Sequence, residues 1–192
     1  MLMIGLVPKL LVNLIESQTD ERTVETVKKK AGVPIDRTYS INCFYSEDEW
    51  QRLFRSTCET LNVSQEDAEP IFAEFFYRDA IERWPRWFEM SPNSFEFLKR
   101  QPAIHNLLAL SCPDRSISQS VNDKFEMKWE SLSLQVKYHS PNLLCGLFKS
   151  MARKIAEHYG DRITIHENRC MKQGDDHCQI RVNWNLSVEK PS

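Results

Sequence analysis

The chain has 192 residues, 41% of them hydrophobic and 27% charged, with a formal net charge of −2. That length builds one compact domain with its own core, and the balanced charge excludes the broadly basic surface that nucleic acid or an anionic membrane would recruit. Six cysteines without a recognisable secretory leader point to a reducing, cytoplasmic setting, where clustered thiols serve metal or redox chemistry more often than structural disulfides.

The opening MLMIGLVPKLLVNLI lacks a basic start and a small-residue cleavage site, and Lys9 and Asn13 interrupt it, so it reads as a core helix over 3–16 and not as a signal peptide. No run approaches the roughly 18 apolar residues a membrane span requires. Thr23 to Lys30 forms a second amphipathic stretch, closed by Gly32 and Pro34; its Lys28, Lys29 and Lys30 suit the end of a helix dipole. Ser46 with Glu49 and Ser64 with Asp67 predict capping-box starts for two further helices.

WPRWFEMSPNS, broken by Pro85 and Pro92, reads as a tight connection. SFEFLKRQPAIHNLLAL returns to a helical period but carries Pro102, which costs about 3 kcal/mol inside a helix, so a kink or a fresh helix is expected there. A lone histidine in such an apolar helix, here His105, is by itself more often structural than functional.

From Val121 the period becomes two. Leu132, Leu134, Val136 and Tyr138 alternate with polar residues, as do Ile163 with Ile165 and Ile180 with Val182 and Trp184, and a helix over 142–159 lies between, ended by Gly160. Helices followed by two strands, a helix and two strands predict an α+β fold: an N-terminal helical subdomain packed on an antiparallel sheet, with a helix in the C-terminal half.

The stretch HENRCMKQGDDHC, residues 166–178, predicts a hairpin closing at Gly174 and Asp175 that brings Cys170 and Cys178 together. The pair alone fits a metal site, a disulfide or two buried hydrophobes. Cys145, at the start of the 142–159 helix, reaches the hairpin if that helix packs on the sheet, and three sulfurs with one imidazole suit closed, structural zinc. The imidazole expected is His166, but an extended strand holds it about 13 Å from Cys170, so a break is predicted near residues 167–169. His177 should point to the opposite face from Cys178. A zinc hydrolase is disfavoured because four protein ligands leave no position for water.

Over nearly its whole length the sequence resembles the H-NOX family, haem-based nitric-oxide sensors related to the haem domain of soluble guanylate cyclase. MIGLVPKLLVNLIES, with its early Gly5, resembles the family's first helix, NCFYSEDEWQRLF a later helix start, and FLKRQPAIH the segment carrying the haem-ligating histidine. The resemblance implies haem b held through His105, with Pro113 in the loop behind it, and a single domain 1–192 divided into a distal part (1–62) and a proximal haem- and zinc-binding part (63–192). The family's Tyr-x-Ser-x-Arg clamp for the haem propionates reads YHSPN, so Tyr138 and Ser140 match while Asn142 replaces the arginine. Neutral amide hydrogen bonds are about half as strong as charge-assisted ones, so either weaker haem binding or compensation by another cation is expected.

At the position of the distal tyrosine with which some members stabilise oxygen, the chain carries Leu147, which implies NO binding with O₂ excluded. A bacterial branch places zinc on an H-x-x-C-x7-C pattern plus a helix cysteine, which implies the ligands Cys145, Cys170 and Cys178, with His166 one residue out of step. The implied role is a non-enzymatic sensor in which NO weakens the His105 bond. It would regulate a separate histidine kinase, diguanylate cyclase or phosphodiesterase, with a zinc site that is structural or redox-responsive. The alternative is a haem-free small-molecule-binding module of the related four-vinyl-reductase-like class, which Asn142 favours.

Overall fold

The computed structural model describes residues 2–110 and 124–185. Two compact units divide the chain: Met1–Phe76 with the described part of Pro102–Asp123, and Tyr77–Gln101 with the described part of Lys124–Ser192. Helix Gln65–Arg83 begins in the first unit, and the chain returns to that unit after Gln101.

The first unit opens with β1 (Leu2–Ile4), which pairs antiparallel with β2 (Phe44–Ser46). Met3 and Ile4, expected in the first helix, are therefore strand residues, and α1 runs over Leu6–Gln18. Asp20 caps α2 (Glu21–Lys30) by accepting from Thr23 N at 2.8 Å. Helix α3 (Glu47–Leu61) starts at Ser46, yet the expected capping box is absent: Ser46 makes no side-chain cap. Glu49 instead accepts from Tyr39 Oη at 2.9 Å and from Arg37 Nη2 at 3.0 Å. At α4 (Gln65–Arg83) the expected Ser64 start holds, with Asp67 N donating to Ser64 Oγ at 3.1 Å.

Apolar positions at helical spacing bury Leu10, Leu11, Ile15, Val27, Leu53 and Phe72 around Trp50, whose ring stacks on Phe54 at 5.3 Å. Gly5 joins β1 to α1 where Cys43 O accepts from its N–H at 2.8 Å. A Cβ there would lie 2.1 Å from Ser40 O and 2.5 Å from Tyr45 Cε2. Because the nearer atom is backbone and cannot swing away, Gly5→Ala should destabilise the chain by about 3 kcal/mol, read from urea denaturation; a loss below about 1 kcal/mol would mean that the contact relaxes.

Within the second unit WPRWFEMSPNS is not merely a connection: Pro85 opens the short helix α5 (Pro85–Glu89). Helix α6 (Ser94–Lys99) ends at Arg100, and α7 (Gln101–Leu110) begins immediately after, so Pro102 sits in a first turn where its missing N–H costs nothing. The strands β3 (Phe125–Glu130), β4 (Ser133–Tyr138), β5 (Ile163–Arg169) and β6 (Cys178–Trp184) form an antiparallel sheet of order β3-β4-β6-β5. Helix α8 (Cys145–Tyr159) connects β4 to β5 and ends at Gly160, whose φ of 71° is the left-handed cap expected of glycine.

Alternation buries Leu134, Val136 and Tyr138 of β4 opposite Val182, Ile180 and Cys178 of β6. The α6 start is tied to the sheet through Ser94, which is fully buried: its Oγ donates to Asp161 Oδ2 at 2.6 Å and accepts from Trp184 Nε1 at 2.7 Å. Among the described residues no helix is long and apolar enough to cross a membrane.

Candidate functional site

Strand β5 runs in register with β6 until Glu167, then shifts between Glu167 and Arg169. This is the break expected there, and it turns Cys170 inward. From Cys170 the chain makes a 3-10 turn over Met171–Gln173 and reverses at Gly174, where φ is 96°. Asp175 locks the turn from both sides. Its Oδ2 accepts from Cys170 N at 2.8 Å, and its N–H donates to Cys170 O at 3.3 Å.

The reversal brings Cys178 under the turn, where its Sγ accepts from Met171 N at 3.2 Å. Helix α8 delivers the third thiol: Cys145 Sγ lies 3.8 Å from Cys170 Sγ. All three cysteines are buried and free. A disulfide needs about 2.05 Å, whereas tetrahedral zinc with bonds of about 2.3 Å sets S···S edges near 3.8 Å. The 3.8 Å separation is too long for a disulfide and compatible with a tetrahedral edge, as it is with two thiols in contact.

The fourth member of the cluster is Glu167. One ligand atom from each of Cys145, Glu167, Cys170 and Cys178 lies within 4.8 Å of the others. His166, the imidazole expected there, is exposed and paired across the strands with Arg181, while Glu167 stands opposite Ile180 on the core face. The physical reason is the two-residue period of a strand: Ile163 and Ile165 set the inward parity, and residue 167 continues it. Glu167 was missed in the sequence because the register of β5, which fixes that parity against β6, comes from strand pairing. His177, set aside on parity, pairs with Asp176 at 2.8 Å.

Burial, followed by the neighbouring Cys178 and Cys170 charges, pushes the Cys145 thiol far above its ordinary range, and burial likewise raises Cys178. Three thiols thus converge where anions are costly without a cation, so metal uptake there would release protons. Glu167 Oε2 accepts from Lys149 Nζ at 2.6 Å, while Oε1 is buried without a hydrogen-bond partner among the described residues. A carboxylate with one buried oxygen free of hydrogen bonds among the described residues, clustered with three thiols, is a donor set that fits a divalent cation.

In the first unit, His105 lies on α7 next to the buried Ile104. The ring keeps a partly accessible surface, yet desolvation lowers its pKa to about 4. The imidazole is therefore neutral near pH 7. Pro113 lies outside the described residues.

In the second unit the YHSPN segment turns from β4 into α8. Tyr138 is buried, and its Oη accepts from Leu144 N at 3.2 Å; Ser140 is fully buried, and its Oγ accepts from Asn142 N at 3.3 Å. Leu143 adopts φ of 54° to complete the turn. Leu147 is buried one turn further along α8. The backbone carbonyl of the buried Lys124 accepts from His139 N at 3.0 Å.

The structure is similar over 95% of its length to an H-NOX protein from S. oneidensis in the Fe(II)NO state, covering 99% of that chain with TM-score 0.73 and 19% identity. It is similar over 98% of its length to the Fe(II) unliganded H-NOX protein from K. algicida, covering all of that chain with TM-score 0.75 and 16% identity. An oxygen-binding H-NOX domain related to soluble guanylate cyclases matches at TM-score 0.72 and 15% identity, with 99% of each chain covered. These likenesses define an H-NOX fold.

The family model described as haem-NO-binding matches residues 4–167, and the chain belongs to that family of haem-binding gas-sensor domains. A soluble guanylate cyclase of Caenorhabditis elegans is 27% identical over 154 residues, 74% of this chain and 20% of the cyclase. The chain therefore spans about a fifth of that relative's length.

Proposed function

We propose that the protein is a cytoplasmic, non-enzymatic haem-based NO sensor that regulates a separate signalling protein, a histidine kinase or a diguanylate cyclase or phosphodiesterase. The observation that carries this reading is His105: a neutral, desolvated imidazole one turn into a helix that starts afresh after Arg100. In this reading His105 ligates haem b, and Tyr138, Ser140 and Asn142 meet its propionates. When bound, the haem would supply the iron that takes a diatomic ligand. Leu147 offers no hydroxyl to hydrogen-bond oxygen, so NO binds and O₂ is excluded. His105 would pass a change at the iron to α7, and Pro102, in the first turn of that helix, would set where it pivots. An absorption spectrum of the purified protein tests this: a Soret band that shifts with NO and is unchanged by air supports it, and no band after haem reconstitution supports the haem-free binding module.

Asn142 gives a graded test. A guanidinium pairs bidentately with a carboxylate and an amide does not, so Asn142→Arg should slow haem transfer to an apo-acceptor protein by about tenfold, or ~1.4 kcal/mol. An unchanged rate would mean that another cation already neutralises the propionates, and Lys124→Ala would then speed the loss.

The same reading includes zinc on Cys145, Cys170 and Cys178, closing the β5–β6 turn onto α8. Its thiolates give a redox input: peroxide takes the Cys145 and Cys170 thiolates to a disulfide with uptake of two protons and release of two waters. If peroxide leaves zinc content unchanged, the site is structural only.

A further inference from the structure

Resting on the metal reading above, we propose that the site in this chain is a Cys3Glu site for a zinc-class divalent cation, with Glu167 Oε1 as fourth ligand and Lys149 as the residue that positions it. Four observations converge. Glu167 is the fourth member of the cluster, whereas His166 is exposed on the other face of β5. The Oε1 atom is buried and has no hydrogen-bond partner among the described residues, while Oε2 is held by Lys149 Nζ at 2.6 Å. The carboxylate is thus split, with one oxygen committed to an ammonium and the other available. The register shift after Glu167 turns Cys170 toward the same cluster.

The charge balance explains Lys149. Three thiolates and a carboxylate around a dication leave an excess of two negative charges, and in a half-buried site such an excess costs free energy unless a cation stands close. Lys149 lies one helical turn after Cys145 on α8, so the helix that supplies one sulfur also supplies the compensating charge. Sulfur suits a borderline-soft ion such as zinc, and the harder, singly bound oxygen is the ligand that exchanges most readily. The site is therefore closed but has one labile corner. An imidazole in the same position, its second nitrogen fixed by a hydrogen bond, would bind more firmly.

The test uses the full chain loaded with zinc under reducing conditions, read by metal content, by X-ray absorption at the zinc edge and by the rate of metal transfer to a chelator. Wild type should hold one zinc per chain with three sulfurs and one oxygen. Glu167→Gln should release zinc at least about tenfold faster, Lys149→Met should speed release without changing the ligand set, and Glu167→His should slow release and replace oxygen by nitrogen. His166→Ala should match wild type. A wild-type spectrum with a nitrogen ligand, or zinc release accelerated by His166→Ala and not by Glu167→Gln, overturns the assignment of Glu167 while leaving a metal site in place. No zinc on the wild-type chain overturns the metal reading itself. The wild-type spectrum decides the ligand set even if a variant folds poorly.

Discussion

His105→Ala should abolish the Soret band of the purified protein, with haem retention reduced at least about a hundredfold, or ~3 kcal/mol, and with the helical circular dichroism preserved. The argument rests on what the side chain contributes to each state. In the folded chain His105 is strongly desolvated, so its imidazole is not sustaining a buried charge that the fold depends on, and truncation to alanine removes the iron ligand at limited structural cost. The apolar support of α7 comes from neighbours such as the buried Ile104, which the substitution leaves in place. Adding free imidazole should restore part of the band if the missing group is only the ligand. A Soret band of wild-type intensity in the variant would show that another residue holds the iron, and would remove the observation on which the sensor reading stands.

Cys178→Ser should remove zinc and lower stability together. Cys178 is fully buried in β6 between β4 and β5, and lies directly across from Tyr138. On the zinc reading proposed above, losing one of three sulfurs should remove the metal, and with it the link from α8 to the β5–β6 turn. A cost of about 3–5 kcal/mol corresponds to a fall in Tm of roughly 10–15 °C for a chain of this size. Calorimetry with and without a chelator checks it, because chelation should lower the wild-type Tm by a similar amount and leave the variant unmoved.

A second effect should accompany the first. Leu144 N donates to Tyr138 Oη, and Cys145 is the next residue, so the Tyr138–Ser140–Asn142 segment is built from the same turn as the metal cluster. Zinc removal should therefore also speed haem loss. Unchanged haem kinetics in metal-free protein would show that the turn is stiff without the ion.

The fold class was largely legible before the structure. The period-two stretches at Leu134–Tyr138, Ile163–Ile165 and Ile180–Trp184 became the sheet, the 142–159 stripe became α8, and Pro102 marked the start of α7. The misreadings were short-range. Met3 and Ile4 carry apolar side chains that satisfy a helix or a strand equally, and β2, some forty residues away, decides for the strand. The Ser46 capping box failed because Arg37 and Tyr39, brought close by the tertiary fold, compete for the Glu49 carboxylate.

The candidate site divides in the same way. Residue identity placed two thiols at one turn, since Gly174 and Asp175 close a hairpin between Cys170 and Cys178, and put Cys145 within reach only on the condition that the helix it opens packs on the sheet. Likeness to the haem-binding family singled out His105, whose spacing alone was uninformative. Which neighbour of the hairpin completes the cluster was decided only by tertiary structure. A one-residue choice between His166 and Glu167 is a choice between opposite faces of β5, and the pairing of that strand with β6 settles which of them is turned inward. Chemical preference for imidazole favours one answer and strand parity imposes the other, because rotating the strand to bring His166 inward would turn the half-buried Ile163 and Ile165 to the exposed face.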